Sequence, residues 1–91
     1  MAHGSNDEIL VNLEKARSKI EIGGRYAHYK NPQKVYEVVN IAVLEADETP
    51  AVLYRINNGH TPDWIWVRPV SSFLETVAHE GRTVPRFTKI G

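Results

Sequence analysis

The chain contains no cysteine. That excludes a disulfide framework, a thiolate nucleophile and any zinc site built on sulfur. It has no excess of either charge, since 11 basic side chains balance 11 acidic ones. A general polyanion-binding coat carries a basic excess, so a nucleic-acid contact here would have to be a local groove. No apolar run approaches the roughly 18–20 residues that a membrane helix needs. The N-terminus lacks the basic-then-apolar order of a secretory signal. These absences point to a cytoplasmic protein with no membrane partner. Internal repeats and low-complexity stretches are missing too, and 91 residues leave room for one domain.

What is present is an ordinary globular composition, 42% hydrophobic and far from that of a disordered chain. Residues 1–5 (MAHGS) read as an expression-tag scar and are set aside. Residues 6–22 form the N-terminal helical region, and residues 23–91 a small β domain. Within the first, Asn6 to Ile20 carries a helical period: Ile9, Leu10, Leu13, Ala16 and Ile20 recur at spacings of three and four. Ser5 with Glu8, or else Asn6, supplies an N-cap. Acids in the first turn and bases near the end complement the helix dipole. Gly23-Gly24 stops the helix.

The period then changes to that of strands. Arg25 to Lys30 is the first candidate, followed by a turn at Asn31-Pro32-Gln33. Val35 to Leu44 is rich in β-branched residues, with apolar groups on both faces, as in a central or strongly curved strand. Glu45 to Pro50 is an acidic turn, Ala51 to Ile56 a strand, and Asn57-Asn58-Gly59 its end. Trp64 to Val70 is the next strand, bent or placed at an edge by Pro69. Ser72 with Glu75 has the form of a second capping box and opens one short helical turn through Leu74. His79-Glu80-Gly81-Arg82 is a hairpin turn, and Thr83 to Ile90 the closing strand. The expected fold is mainly β: a small, strongly bent antiparallel sheet or partly open barrel of SH3-like size, with an N-terminal helix and one short helical turn.

Three constellations have chemical potential. Tyr26, His28 and Lys30 alternate, so they share one strand face. Lysine would bring charge, histidine a titratable donor and tyrosine a stacking surface. The plain alternative is rim packing for Tyr26, a fixed hydrogen bond for His28 and a solvated Lys30. Trp64, Trp66 and Arg68 form a second set, able to hold a planar or anionic group by stacking and cation–π contact. Its plain alternative is a barrel-closing stack with Arg68 paired to Glu75 or Glu48. Arg82 and Arg86 share a face of the last strand and could extend an anion groove, or could simply guard an edge.

Other chemistries lack support. His28, His60, His79 and Asp63 have no metal-ligand spacing. Ser71 and Ser72 sit where caps are expected and outside any nucleophile elbow. Glu45, Asp47 and Glu48 lie in a turn without the apolar surroundings that raise a carboxyl pKa. No phosphate loop exists, and no cofactor is expected.

The motifs Gly24-Arg25-Tyr26-Ala27-His28-Tyr29-Lys30, Tyr36-Glu37-Val38, Trp66-Val67-Arg68-Pro69, Phe73-Leu74-Glu75-Thr76-Val77 and Pro85-Arg86-Phe87 occur in one order over about two-thirds of the chain. In this the sequence resembles domain-of-unknown-function family 1653, whose pattern runs G-x-Y-x-H-Y-K-G, Y-x-V, W-x-R-P, F-x-x-x-V and R-F. Asn31 stands where that pattern has its second glycine, Glu48-Thr49 is all that remains of an acidic segment, and the N-terminal helix lies outside it. The resemblance implies a small bacterial β domain and no particular chemistry.

The functional expectation is a non-enzymatic binding module presenting Tyr26, His28, Lys30, Trp66, Arg68 and Arg86 to an anionic or aromatic ligand. The partner would be a nucleotide, a single-stranded nucleic acid or a peptide. Two alternatives stand beside it. One is a small enzyme with His28 as general base and Lys30 and Arg68 stabilising negative charge. The other is an assembly protein forming a homo-oligomer through helix 6–20.

Overall fold

A computed structural model describes residues 6–57 and 64–91. Helix α1 (Asn6–Lys19) leads into β1 (Arg25–His28), β2 (Asn31–Val43), β3 (Pro50–Ile56) and β4 (Trp66–Pro69). A single-turn helix α2 (Val70–Phe73) follows, then β5 (Thr76–His79), β6 (Arg82–Pro85) and β7 (Phe87–Ile90). Five strands form one antiparallel sheet in the order β4-β3-β2-β1-β7, and β5 and β6 form a separate hairpin. The expected mainly β fold is therefore present as a bent open sheet. Strands β4 and β7 are its two edges and do not pair, so no barrel closes.

The bend is visible in the side chains. Phe87 on edge strand β7 reaches Tyr54 on β3, with ring centroids 5.4 Å apart, although β1 and β2 lie between them. Arg68 on the opposite edge strand has its guanidinium carbon 6.0 Å from the Phe87 ring centre. Short α2 fills the mouth between the edges. Its Phe73 stacks on Phe87 at 4.2 Å and meets Tyr26 and Tyr54 edge-on at 5.3 and 5.7 Å. Val38, Ile41, Val52 and Val70 complete the core from the sheet and α2. Edge-to-face and offset pairs each add about 0.5–1.5 kcal/mol beyond area burial, which suits a domain too small for a large aliphatic core.

Helix α1 supplies Ala16 and Ile20 to that core, with Leu13 packed against it. Much of the helical stripe is thus consumed within the chain, while Leu10 and Val11 stay exposed. The helix ends at Lys19, short of the expected Ile22 boundary, although the Ile20 N–H still bonds to the Ala16 carbonyl. Gly23 has φ +84°, a conformation costly for any residue with a Cβ. Its N–H donates to the Val38 carbonyl at 2.7 Å, and the Val38 N–H donates to the Gly24 carbonyl at 3.0 Å. The helix stop is therefore also the joint between helix and sheet.

Several local expectations need correcting. The first hairpin turns at Tyr29 and Lys30, whereas Asn31-Pro32-Gln33 belongs to β2. The register jumps there from Ala27↔Val35 to His28↔Asn31. Proline has no N–H to give a ladder, so the signal read as a turn appears as a bulge. A second bulge at Val39 resets β2, placing Tyr36, Val38 and Ile41 on the core face. Beside this bulge the Ile41 N–H donates to Asn40 Oδ1 at 2.8 Å. This irregularity explains why the strand reads as apolar on both sides.

Val70 starts α2 rather than ending β4. Ser72 lies inside α2, whose N-cap is Pro69 without a side-chain cap, so the second capping box does not form. Thr76 to His79 is a strand that the sequence reading did not assign. The expected closing strand Thr83–Ile90 is two strands, divided at Arg86, with one half in the hairpin and the other in the sheet. The Glu80-Gly81 turn is as expected, with positive φ at both residues, as a two-residue hairpin turn of mirror type needs. Ser5, Asn58, Gly59, His60 and Asp63 lie outside the described residues.

Candidate functional site

Cross-strand partners in an antiparallel sheet point to the same side. The register Trp66↔Tyr54↔Val38, Arg68↔Val52↔Ile41, Tyr26↔Tyr36 and His28↔Phe87 therefore puts all of these side chains on the concave face. The convex face carries Glu37 and Arg55, joined across strands at 2.9 Å, and the exposed Val67.

The concave face has a packed floor and an open rim. Tyr26 belongs to the floor: it is buried, and its hydroxyl accepts the Glu21 N–H at 3.0 Å. That ties the helix exit to the sheet and makes Tyr26 a structural part of the floor. On the rim, Trp64 and Trp66 are 59% and 47% exposed and meet edge-to-face at 5.7 Å. They are the largest aromatic surfaces that the core has not taken.

Between floor and rim lies Arg68. Its Nε donates to the Tyr54 hydroxyl at 3.3 Å and one terminal nitrogen donates to Ser72 Oγ at 2.9 Å. Both partners are neutral. The expected pairing with Glu75 or Glu48 does not occur, because Glu75 instead accepts from Arg86 at 2.7 Å. Among the described residues no carboxylate lies within ion-pair distance of Arg68. A part-buried guanidinium without a counter-charge among the described residues is unusual, since buried charges are normally paired.

His28 stands edge-on to Phe87 at 5.1 Å, on the same ring that Arg68 overlies. Burial lowers its pKa from the ordinary 6.5, and the charges of Arg68, Arg86 and Lys30 lower it further. Its Nδ1 accepts the backbone N–H of Lys30 at 3.1 Å. The neutral ring therefore carries its proton on Nε2 and is a hydrogen-bond donor at that atom. A general base needs a free lone pair, and the Nδ1 lone pair is committed.

The structure thus unites His28 and Arg68 around Phe87, the juxtaposition left open by the sequence. Lys30 sits in the hairpin turn, off the alternating face, yet close enough to act on His28. Arg86 is mainly a strut. Its backbone N–H donates to the Glu75 carbonyl, its carbonyl accepts from Tyr29, and its buried Nε has no partner among the described residues. Arg82 is exposed at the start of β6. Sequence reasoning missed Phe87, Tyr54 and Ser72, which organise Arg68 and His28. The R-F motif marked Phe87 without revealing that both groups converge on it. Among the described residues no three His, Cys, Asp or Glu side chains cluster as metal ligands, and no helix is long and apolar enough to cross a membrane.

An antiparallel open sheet with an aromatic core and a cationic seam is the class of domain this geometry defines. A family profile for a protein of unknown function, DUF1653, matches residues 24–89, and the chain belongs to that family. The fold is similar to the crystal structure of a DUF1653 protein from Bordetella bronchiseptica, with 25% identity and a TM-score of 0.63 over 76% of this chain and 86% of that one. No curated protein matches the chain.

Proposed function

We propose that the domain is a binding module for an anionic ligand that carries a planar group, with the anion at Arg68 and His28 and the plane on the exposed tryptophans. The observation that carries this reading is the part-buried Arg68, whose side-chain partners among the described residues are two hydroxyls. An incoming carboxylate or phosphate would complete its charge balance, and charge-assisted bonds to guanidinium are about twice as strong as neutral ones. The His28 Nε2–H adds a second donor beside it. Trp66 stands two residues before Arg68 on one strand face, about 7 Å away, so one small ligand can touch both. Stacking on such a ring contributes about 1–3 kcal/mol per nucleobase. A nucleotide therefore suits the site better than a peptide does.

The catalytic alternative has less behind it, because the His28 lone pair that a base would use is taken by Lys30. The test is an amide-shift titration with a nucleoside monophosphate, a short oligonucleotide and an acidic peptide, repeated with Arg68→Gln. The expected result is clustered shifts at His28, Tyr29, Trp66 and Arg68, weakened at least about tenfold in the variant and reduced by added salt. Absence of shifts with all three probes, or equal binding by Arg68→Gln, would overturn the reading.

A further inference from the structure

A groove of about 530 Å³ runs between α1 and the wall formed by Pro50, Pro69 and α2, and neither Arg68 nor His28 lines it. This volume is in the range of small-molecule sites. Its floor is apolar: Ala16 and Val70 are buried there, while Leu74 remains 40% exposed. Lys15 and Lys19 line the helix side, and their spacing of four sets both ammonium groups on one helix face. Among the described residues neither lysine has an acidic partner within ion-pair distance. Asp47 is the acid in the lining, but its Oδ1 is turned into its own loop. There it accepts from the Thr49 N–H at 3.1 Å and the Thr49 hydroxyl at 2.7 Å. These bonds also lower its pKa, the side-chain bond from Thr49 first.

We propose that this groove is a second binding site, for a fatty carboxylate: an unbranched apolar chain over Ala16, Val70 and Leu74, its head held by Lys15 and Lys19. Charge complementarity selects this occupant, because the two lysines outweigh the single carboxylate of Asp47, which is held at its own loop by Thr49. The trough has apolar length, and its cations stand along one side, so a ligand with a single terminal negative charge satisfies both. The family match begins at residue 24. The apolar floor thus comes chiefly from the matched domain and the cationic wall from the helix that precedes it.

The test is a titration of the isotope-labelled protein with octanoate, with 1-octanol as the same chain without charge. Octanoate is expected to shift the amides of Ala16, Thr49, Val70 and Leu74. The doubly substituted Lys15→Gln, Lys19→Gln protein should bind it about fivefold more weakly, and 1-octanol should bind more weakly to the unchanged protein. Arg68→Gln should leave octanoate binding as it is, so this site and the Arg68 site can fail separately. Absence of shifts at those amides, equal binding of 1-octanol, indifference to both lysine changes, or loss of binding in Arg68→Gln alone would each overturn the proposal.

Discussion

Tyr26 and Trp66 stand on the same face of the same sheet, yet folding has consumed only one of them. Tyr26 is 5% exposed, packs edge-on against Phe73 and gives its hydroxyl to the helix exit. Trp66 is 47% exposed, with Trp64 as its aromatic neighbour. Position under the cover of α2 makes the difference, since Phe73 reaches Tyr26, Tyr54 and Phe87. Residue type therefore does not separate a core aromatic from one left for recognition. The separation comes from which part of the concave face a four-residue helix can roof over.

The largest expected effect lies at that roof. Phe73 is 2% exposed and touches three rings of the cluster. Phe73→Ala should cost about 3–5 kcal/mol, read as a lower denaturation midpoint with an unchanged slope. A loss below about 1 kcal/mol would mean that the cluster is not the keystone described. Next comes the comparison itself. Tyr26→Phe strands the Glu21 N–H and should cost about 1 kcal/mol. Trp66→Ala should change stability by no more than about 0.5 kcal/mol while weakening binding of a nucleoside monophosphate. If the stability order were reversed, Trp66 would be a structural residue and the division between floor and rim would fail.

Periodicity carried much of the fold. Ile9, Leu10, Leu13, Ala16 and Ile20 gave the helix, of which Leu13, Ala16 and Ile20 pack on the core while Leu10 stays exposed, and the Gly-Gly stop fell where the chain turns back to the sheet. The errors along β2 share a physical origin: strand residues that do not keep a period of two. The bulges at Pro32-Gln33-Lys34 and Val39 each shift which residues face inward, and no local pattern announces a bulge as distinct from a turn. The division of the last strand at Arg86 depends on the distant Glu75, which holds Arg86 by backbone and side chain alike. For the site, His28 and Arg68 were legible as residue types. Their meeting was not, because it follows from a sheet bent enough for its edge strands to touch through Phe87. The partner of Arg68 was misjudged for the same reason: Ser72 looked like a cap until the arginine on β4 reached it.

The smallest effect tests the convergence of cations most directly. Burial, then Arg68, Arg86 and Lys30, hold the His28 pKa below 6.5 in the folded chain, whereas the unfolded chain titrates near its ordinary value. Between those two pKa values the unfolded state binds more protons. His28's contribution to stability is therefore complete above about pH 6.5, falls as the pH drops through the window, and levels off below the folded pKa. Replacing His28 with glutamine should flatten the stability profile in that window and leave it unchanged above. An imidazole titration by NMR gives the same answer without unfolding, as a midpoint below that of an exposed histidine. An anion seated at Arg68 would offset part of the repulsion, so the midpoint should rise when a nucleoside monophosphate is bound, with uptake of protons below the ordinary histidine pKa. A His28 midpoint at or above the ordinary value in the free protein would mean that the cations do not converge on it. A midpoint that stays low with ligand bound would place the ligand somewhere other than beside Arg68.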